Sequence, residues 1–143
     1  MNILTSTAAR LRRIQQDMPY LIRLVVVENA TLLEDMNISQ LQRGQRADGI
    51  TLPDYSERSV REFGKPPGPI RLYDTGAFYR AMNVQVIGKV IDFGNTDRKA
   101  LKLVERYGEP ILGLSAENQD YFSREILRPE LIKKIKERLF PLR

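Results

Sequence analysis

The stretch from Gly44 to Ile70 most constrains the fold. Pro53, Gly64, Pro66, Pro67, Gly68 and Pro69 crowd into it. Proline has a fixed φ and no N–H, and glycine weakens regular elements, so no long helix or strand can run through. Asp48-Gly49 is a turn signal. Ser56–Phe63 can form a short helix with Ser56 as its cap. The Pro-Pro-Gly-Pro run at 66–69 prefers extended polyproline geometry. Loops this long are unusual inside a compact domain, and neither flank is rich enough to fold as a second one. The expectation is one domain, 1–143, with 44–70 as an extended arm or loop.

The N-terminal flank reads as helix. Ile3, Leu4, Ala8, Leu11 and Ile14 recur at helical spacing over 3–16, with Thr5 or Ser6 as a cap. Asp17-Met18-Pro19 then predicts a boundary, since the residue before proline avoids the helical region and Pro19 suits a new first turn. A second helix is expected over about 19–43, its stripe being Leu21, Ile22, Val25, Leu32, Leu33, Met36 and Leu41. Val25-Val26-Val27 could also form a strand; the in-phase stripe favours helix. Gly44 follows a basic last turn as a C′ glycine.

The C-terminal flank is mixed. Asp74 or Thr75 starts a short helix to Met82. Val84, Val86, Val90, Ile91 and Phe93 around Gly88-Lys89 predict a β-hairpin, about 83–87 and 90–94. Asn95-Thr96-Asp97 caps a helix of about 97–107, with Leu101 and Val104 inward and Tyr107-Gly108 at its end. Ser115 opens a final amphipathic helix that Pro129 should kink or restart. Its stripe continues through Leu131, Ile132, Ile135 and Leu139. The fold class is therefore α+β: N-terminal helices, a long extended loop or arm, a β-hairpin or small antiparallel sheet, and a C-terminal amphipathic helix.

Cysteine and histidine are both absent. This excludes disulfides, thiolate zinc sites and histidine acid–base catalysis. No phosphate-binding glycine motif occurs. Asp92-Phe93-Gly94 spells a kinase metal-binding tripeptide without the other kinase motifs, and reads as the end of a strand. Asp74, Asp92, Asp97 and Glu105 are the carboxylates a Mg²⁺ site would draw on. Asp74 and Asp97 have ready work as helix caps, and no spacing brings the four together. No cofactor, no metal and no catalytic residue are expected. The longest apolar run, Leu24–Val27, is far short of a membrane span. The N-terminus lacks the apolar core of a secretory signal. Its arginines fit a transit peptide or, more simply, a first helix.

Twenty-three basic against 18 acidic residues give a net charge of +5. Arg10, Arg12, Arg13, Lys133, Lys134, Lys136 and Arg138 cluster near the two ends. They would make one positive face if the first and last helices pack together, so a small basic nucleic-acid-binding protein is the alternative function.

The order of short motifs from residue 36 to 139 carries a resemblance. Asn37–Gly44 is followed by Asp48-Gly49, Tyr55-Ser56 and a Lys-Pro stretch ending in Arg71-Leu72. Asp74-Thr75-Gly76, Phe78-Tyr79, the hairpin, Leu103–Gly108 and Ile111-Leu112-Gly113-Leu114-Ser115 come next. A terminal helix closes the chain. This resembles the tail-completion, or virion-morphogenesis, proteins that join head to tail in long-tailed bacteriophages and prophages, nearest the versions in phages of Bacteroides-like hosts. A histidine-containing string common in that family is replaced here by Glu105–Pro110.

The resemblance implies a non-enzymatic subunit of a homo-oligomeric ring, possibly hexameric. It would contact neighbouring neck, connector or tail-tube proteins in the virion, after synthesis in the host cytoplasm. The expected contact residues are Arg46, Asp48, Tyr55, Lys65, Pro66, Pro67, Pro69, Arg71, Asp74, Thr75 and Gly76. Arg71, Asp74, Thr75 and Gly76 would brace the arm's base against the hairpin.

Overall fold

The computed structural model describes residues 3–141, with side chains from Ser6 onward. The chain is α+β, with helices at both ends and a two-stranded antiparallel sheet between them. Ile3, Leu4 and the alternative cap Thr5 lie outside the described side chains.

Helix α1 runs Ile3–Glu28 with Pro19 inside it, so the boundary expected at 17–19 is not there. Proline inside a helix costs about 3 kcal/mol. Ile14, Leu21, Val25 and Val26 are buried on the same helix. Each fully buried aliphatic contributes roughly 1.5–3 kcal/mol, so packing outweighs the proline. The N-terminal end of the predicted stripe is not covered: Ala8 and Leu11 are exposed.

The break falls at Asn29 instead. Its Nδ2 donates to the Val25 carbonyl at 2.8 Å and to Glu130 Oε2 at 2.9 Å. Helix α2, Ala30–Gln42, starts immediately after. The predicted second helix is thus divided between α1 and α2. At the end of α2 the Gly44 N–H bonds the Leu41 carbonyl and the Gln45 N–H bonds the Gln40 carbonyl, both at 2.9 Å. That pair is a Schellman motif, with Gly44 at φ +70° as its C′ residue.

A short helix α3, Glu57–Phe63, follows in the long loop; Ser56 Oγ accepts from the Ser59 N–H. Helix α4 is a single turn, Ala77–Arg80, starting later than expected. Strands β1, Met82–Ile87, and β2, Val90–Asn95, form the hairpin. Helix α5 spans Ala100–Tyr107. Its inward face is Ala100, Leu103, Val104 and Tyr107. Leu101, expected inside, is 70% exposed, because the buried positions follow the i, i+3, i+4, i+7 phase set by Ala100.

Helix α6, Ala116–Tyr121, passes into a π-helical segment, Phe122–Leu127, and then into α7, Arg128–Leu139. The wider turns fall just ahead of Pro129, which has no N–H to give, so the register changes where proline would interrupt an α-helix. Leu131, Ile135 and Leu139 are half-buried on α7, whereas Ile132 lies off their stripe and is 51% exposed.

Helix α7 packs along α1. Arg10 bonds the Leu139 carbonyl, Arg138 pairs with Asp17, and Lys134 pairs with Glu28. The partner numbers fall as α1 advances, so the two helices are antiparallel.

Two apolar clusters make the core. One gathers Leu41, Leu52, Leu72, Phe78, Tyr79, Met82, Ala100 and Ile111. The other joins Val26, Leu33, Leu114 and Phe122 to the apolar face of the hairpin, Val84, Val86, Ile91 and Phe93.

Candidate interaction surface

The loop from Gly44 to Ile70 folds back on the body. Its first lobe is a turn closed by bonds from Arg46 N–H to the Ile50 carbonyl and from Leu52 N–H to the Gly44 carbonyl. Leu52 enters the core. The Ala47 N–H reaches the Pro110 carbonyl at 2.7 Å. Arg46 lies inside this joint rather than facing outward. It donates to the Tyr107 carbonyl at 2.9 Å and holds Asp48 through two nitrogens. Hydrogen bonding to Asp48 raises the Arg46 pKa, and the same bond lowers that of Asp48.

The second lobe is clasped at its neck. Tyr55 N–H bonds the Gly68 carbonyl and Ile70 N–H bonds the Pro53 carbonyl, each at 2.9 Å. Pro69 packs against the Gly44 backbone, where an added Cβ would stand 2.3 Å from the proline's. Pro66 and Pro67 are exposed. The tip is α3, which has no buried residue, and its Phe63 is 66% exposed.

At the base of this lobe four of the expected contact residues meet. The Lys65 ammonium donates to the Tyr73 carbonyl at 2.9 Å and lies 5.8 Å from the Tyr55 ring centroid. Tyr55 Oη accepts from the Arg71 N–H at 3.1 Å. The Asp74 carboxylate is 4.0 Å from Lys65 and 3.5 Å from Lys99. Tyr79 Oη donates to the Arg71 carbonyl, and burial pushes its phenol up to about 12. The Tyr73 and Tyr79 rings meet at a tilt of 58°, 5.5 Å between centroids. Just before Tyr73, Leu72 turns into the core with φ +54°, a conformation rare for a bulky residue.

Thr75 and Gly76 shape the turn into α4: Thr75 Oγ1 accepts from the Ala77 N–H at 3.3 Å, and its carbonyl accepts from Arg80 at 3.2 Å. The expected brace against the hairpin is corrected accordingly. Arg71, Asp74, Thr75 and Gly76 join the loop to α4 and to Lys99 before α5, because the chain reverses at Gly76 before the strands begin.

Two shallow depressions flank the cluster. One, of about 380 Å³, lies between Tyr73, Asp74, Asp97 and Lys99. The other, of about 600 Å³, lies between Phe63, Pro66, Arg71 and Tyr79. The four carboxylates considered for Mg²⁺ are not brought together. Asp97 Oδ1 accepts from the Lys99 N–H, Asp74 pairs with lysines, and Asp92 and Glu105 are exposed. Among the described residues no three histidines, cysteines or carboxylates stand close enough to hold a metal ion. Nor is any helix long and apolar enough to cross a membrane among the described residues.

A further joint, between α2 and residues 111–118, lies outside the expected contact residues. Asn37 and Gln40 are both fully buried on α2. Asn37 Nδ2 donates to the Ile111 carbonyl at 3.0 Å, and its Oδ1 accepts from the Gly113 N–H at 2.8 Å. Gln40 Nε2 donates to the Gly113 carbonyl at 2.9 Å, and its Oε1 accepts from the Ser115 N–H at 2.8 Å and from Asn118 Nδ2 at 2.6 Å. The available signal was two amides three residues apart, interrupting the stripe between Leu33 and Leu41.

No family model matches the chain, and neither a curated protein nor a solved structure matches it.

Proposed function

We propose that the chain is a structural subunit of a phage neck or tail, a tail-completion or head–tail connector protein that acts by ring assembly rather than by catalysis. The observation that carries this reading is the motif order itself. The segments that bear the resemblance are those that hold one another: Asn37–Gly44 grips Ile111–Ser115, and Arg71–Gly76 closes on Tyr55 and Tyr79. The exposed tip at α3 supports it, since its Phe63, 66% exposed, offers a neighbour an uncovered aromatic surface. The deciding measurement is the copy number and symmetry of this chain in purified particles. Its absence from mature particles would overturn the reading.

A second reading, nucleic-acid binding, draws on the packing of α1 against α7, which puts the basic ends of the chain on adjoining helices. Asp17 and Glu28 already pair with Arg138 and Lys134, which leaves a smaller positive face. Binding that weakens steeply with salt, with a slope worth several phosphates, would favour it.

A further inference from the structure

Strand β2 is an open edge. β1 lies beside α1 and α2, and among the described residues the sheet has no third strand. The Thr96 N–H bonds the Ala81 carbonyl at 3.1 Å, continuing the ladder and fixing its alternation. Val90, Asp92 and Gly94 therefore bond to β1, while the backbone groups of Ile91 and Phe93 face away from it.

They face a groove of about 860 Å³ with a floor that includes Leu33, Leu112, Leu114, Phe122 and Leu127. Its rim carries the exposed carboxylates Asp92 and Glu109, with Lys89 at the hairpin end. An apolar small molecule would fill the floor and leave the strand edge unpaired. An extended peptide satisfies both.

The chain carries a segment of that chemistry. After α7 ends at Leu139, Phe140 is 74% exposed, and the sequence reads Phe140-Pro141-Leu142-Arg143. Set opposite Ile91 and Phe93 as hydrogen-bonded pairs, Phe140 and Leu142 would share their face and project into the groove. Pro141 would fall where the backbone points away from β2 and its missing N–H is harmless. In that antiparallel register Phe140 pairs with Phe93 and Leu142 with Ile91, so Arg143 stands opposite Val90, on the strand face that carries Asp92. The Phe140 N–H, now on the Lys136 carbonyl at 2.8 Å, would exchange that bond for one to the strand.

Phe140–Arg143 cannot reach the groove of its own chain. Leu127 lines the groove where α7 begins, and Leu139 ends that helix twelve residues on. At 1.5 Å of rise per residue the two are ~18 Å apart. Leu142 can lie no more than ~11 Å from Leu139.

We infer that Phe140–Arg143 of one copy adds as a strand to β2 of a second copy. The contact joins unlike surfaces, so repetition yields a closed ring or an open chain. This inference rests on the ring-subunit reading and names its joint.

The test combines sedimentation with residue-resolved amide exchange on the full chain. Where the chain associates, the Ile91 and Phe93 amides should exchange slowly. An excess of synthetic peptide Arg138–Arg143 should dissociate the assembly while keeping those amides protected. The peptide with Phe140→Asp and Leu142→Asp should compete at least tenfold less well. A chain ending at Leu139 should keep its helical circular dichroism and sediment as a single copy. Assembly that survives this deletion, or fast exchange at Ile91 and Phe93 in the assembled chain, overturns the joint while the ring reading stands. A full chain that stays monomeric at every concentration counts against the ring; the joint then falls too unless the peptide protects both amides.

Discussion

Asn37 holds Gly113 through a 2.8 Å bond from the glycine N–H to the Asn37 Oδ1, while its Nδ2 holds the Ile111 carbonyl. One side chain thus satisfies a donor and an acceptor in a segment that has no strand beside it. Replacing it with leucine strands both, and each unpaired buried group costs about 1–3 kcal/mol. Asn37→Leu should therefore lose about 2–4 kcal/mol in urea unfolding, despite adding apolar surface. A stability within about 0.5 kcal/mol of the parent would mean the joint is dispensable.

At Gly44 two constraints coincide: φ is +70°, and an added Cβ would meet the Pro69 Cβ at 2.3 Å. Gly64 has φ +65° with nothing near. Gly64→Ala should cost about 1–2 kcal/mol, the left-handed penalty alone. Gly44→Ala adds overpacking worth about 1–3 kcal/mol more. It should also speed proteolysis within 53–69, because the clash pushes on the neck of the loop. Equal losses at the two positions would show that Pro69 yields freely.

Where the fold could be foreseen, the signals were local. Ser56 and Ser115 cap the helices that follow them, Gly44 ends α2, and Gly88-Lys89 turns the hairpin. Each rests on neighbours a few residues away. The misplaced features depend on distant partners. Pro19 stays helical because of the core under Leu21 and Val25, and Asn29 breaks the helix while bonding to Glu130. The loop lies on the body because Arg46 finds the Tyr107 carbonyl and Leu52 finds the core. The joint at Asn37 and Gln40 pairs two amides with backbone more than seventy positions away, which no periodicity encodes.

Pro19 makes a separate stability test. It is exposed, so its replacement by alanine disturbs little packing, restores an N–H to the helix and removes a penalty of about 3 kcal/mol. The freer unfolded chain offsets about 1 kcal/mol of that gain. Pro19→Ala should be more stable by about 2 kcal/mol, read as a higher urea midpoint at unchanged slope. Destabilisation would instead assign Pro19 a shape that α1 needs.

Tyr79 gives the fold an alkaline limit. Burial raises its phenol from 10.0 to about 12, and its hydroxyl donates to the Arg71 carbonyl. Below pH about 10 both folded and unfolded chains keep the proton, and the contribution of Tyr79 is fully present. Between about 10 and about 12 the unfolded chain releases its proton first, so stability falls as pH rises. Tyr79→Phe lacks the titrating group. At neutral pH it should be less stable by about 1 kcal/mol for the lost hydrogen bond. Across the alkaline window its stability should fall less steeply than the parent's, so the two curves converge. Because the remaining tyrosines and lysines titrate in both chains, the difference curve isolates this one hydroxyl. Urea midpoints of the two chains that run parallel throughout the window would show that Tyr79 ionises as freely folded as unfolded.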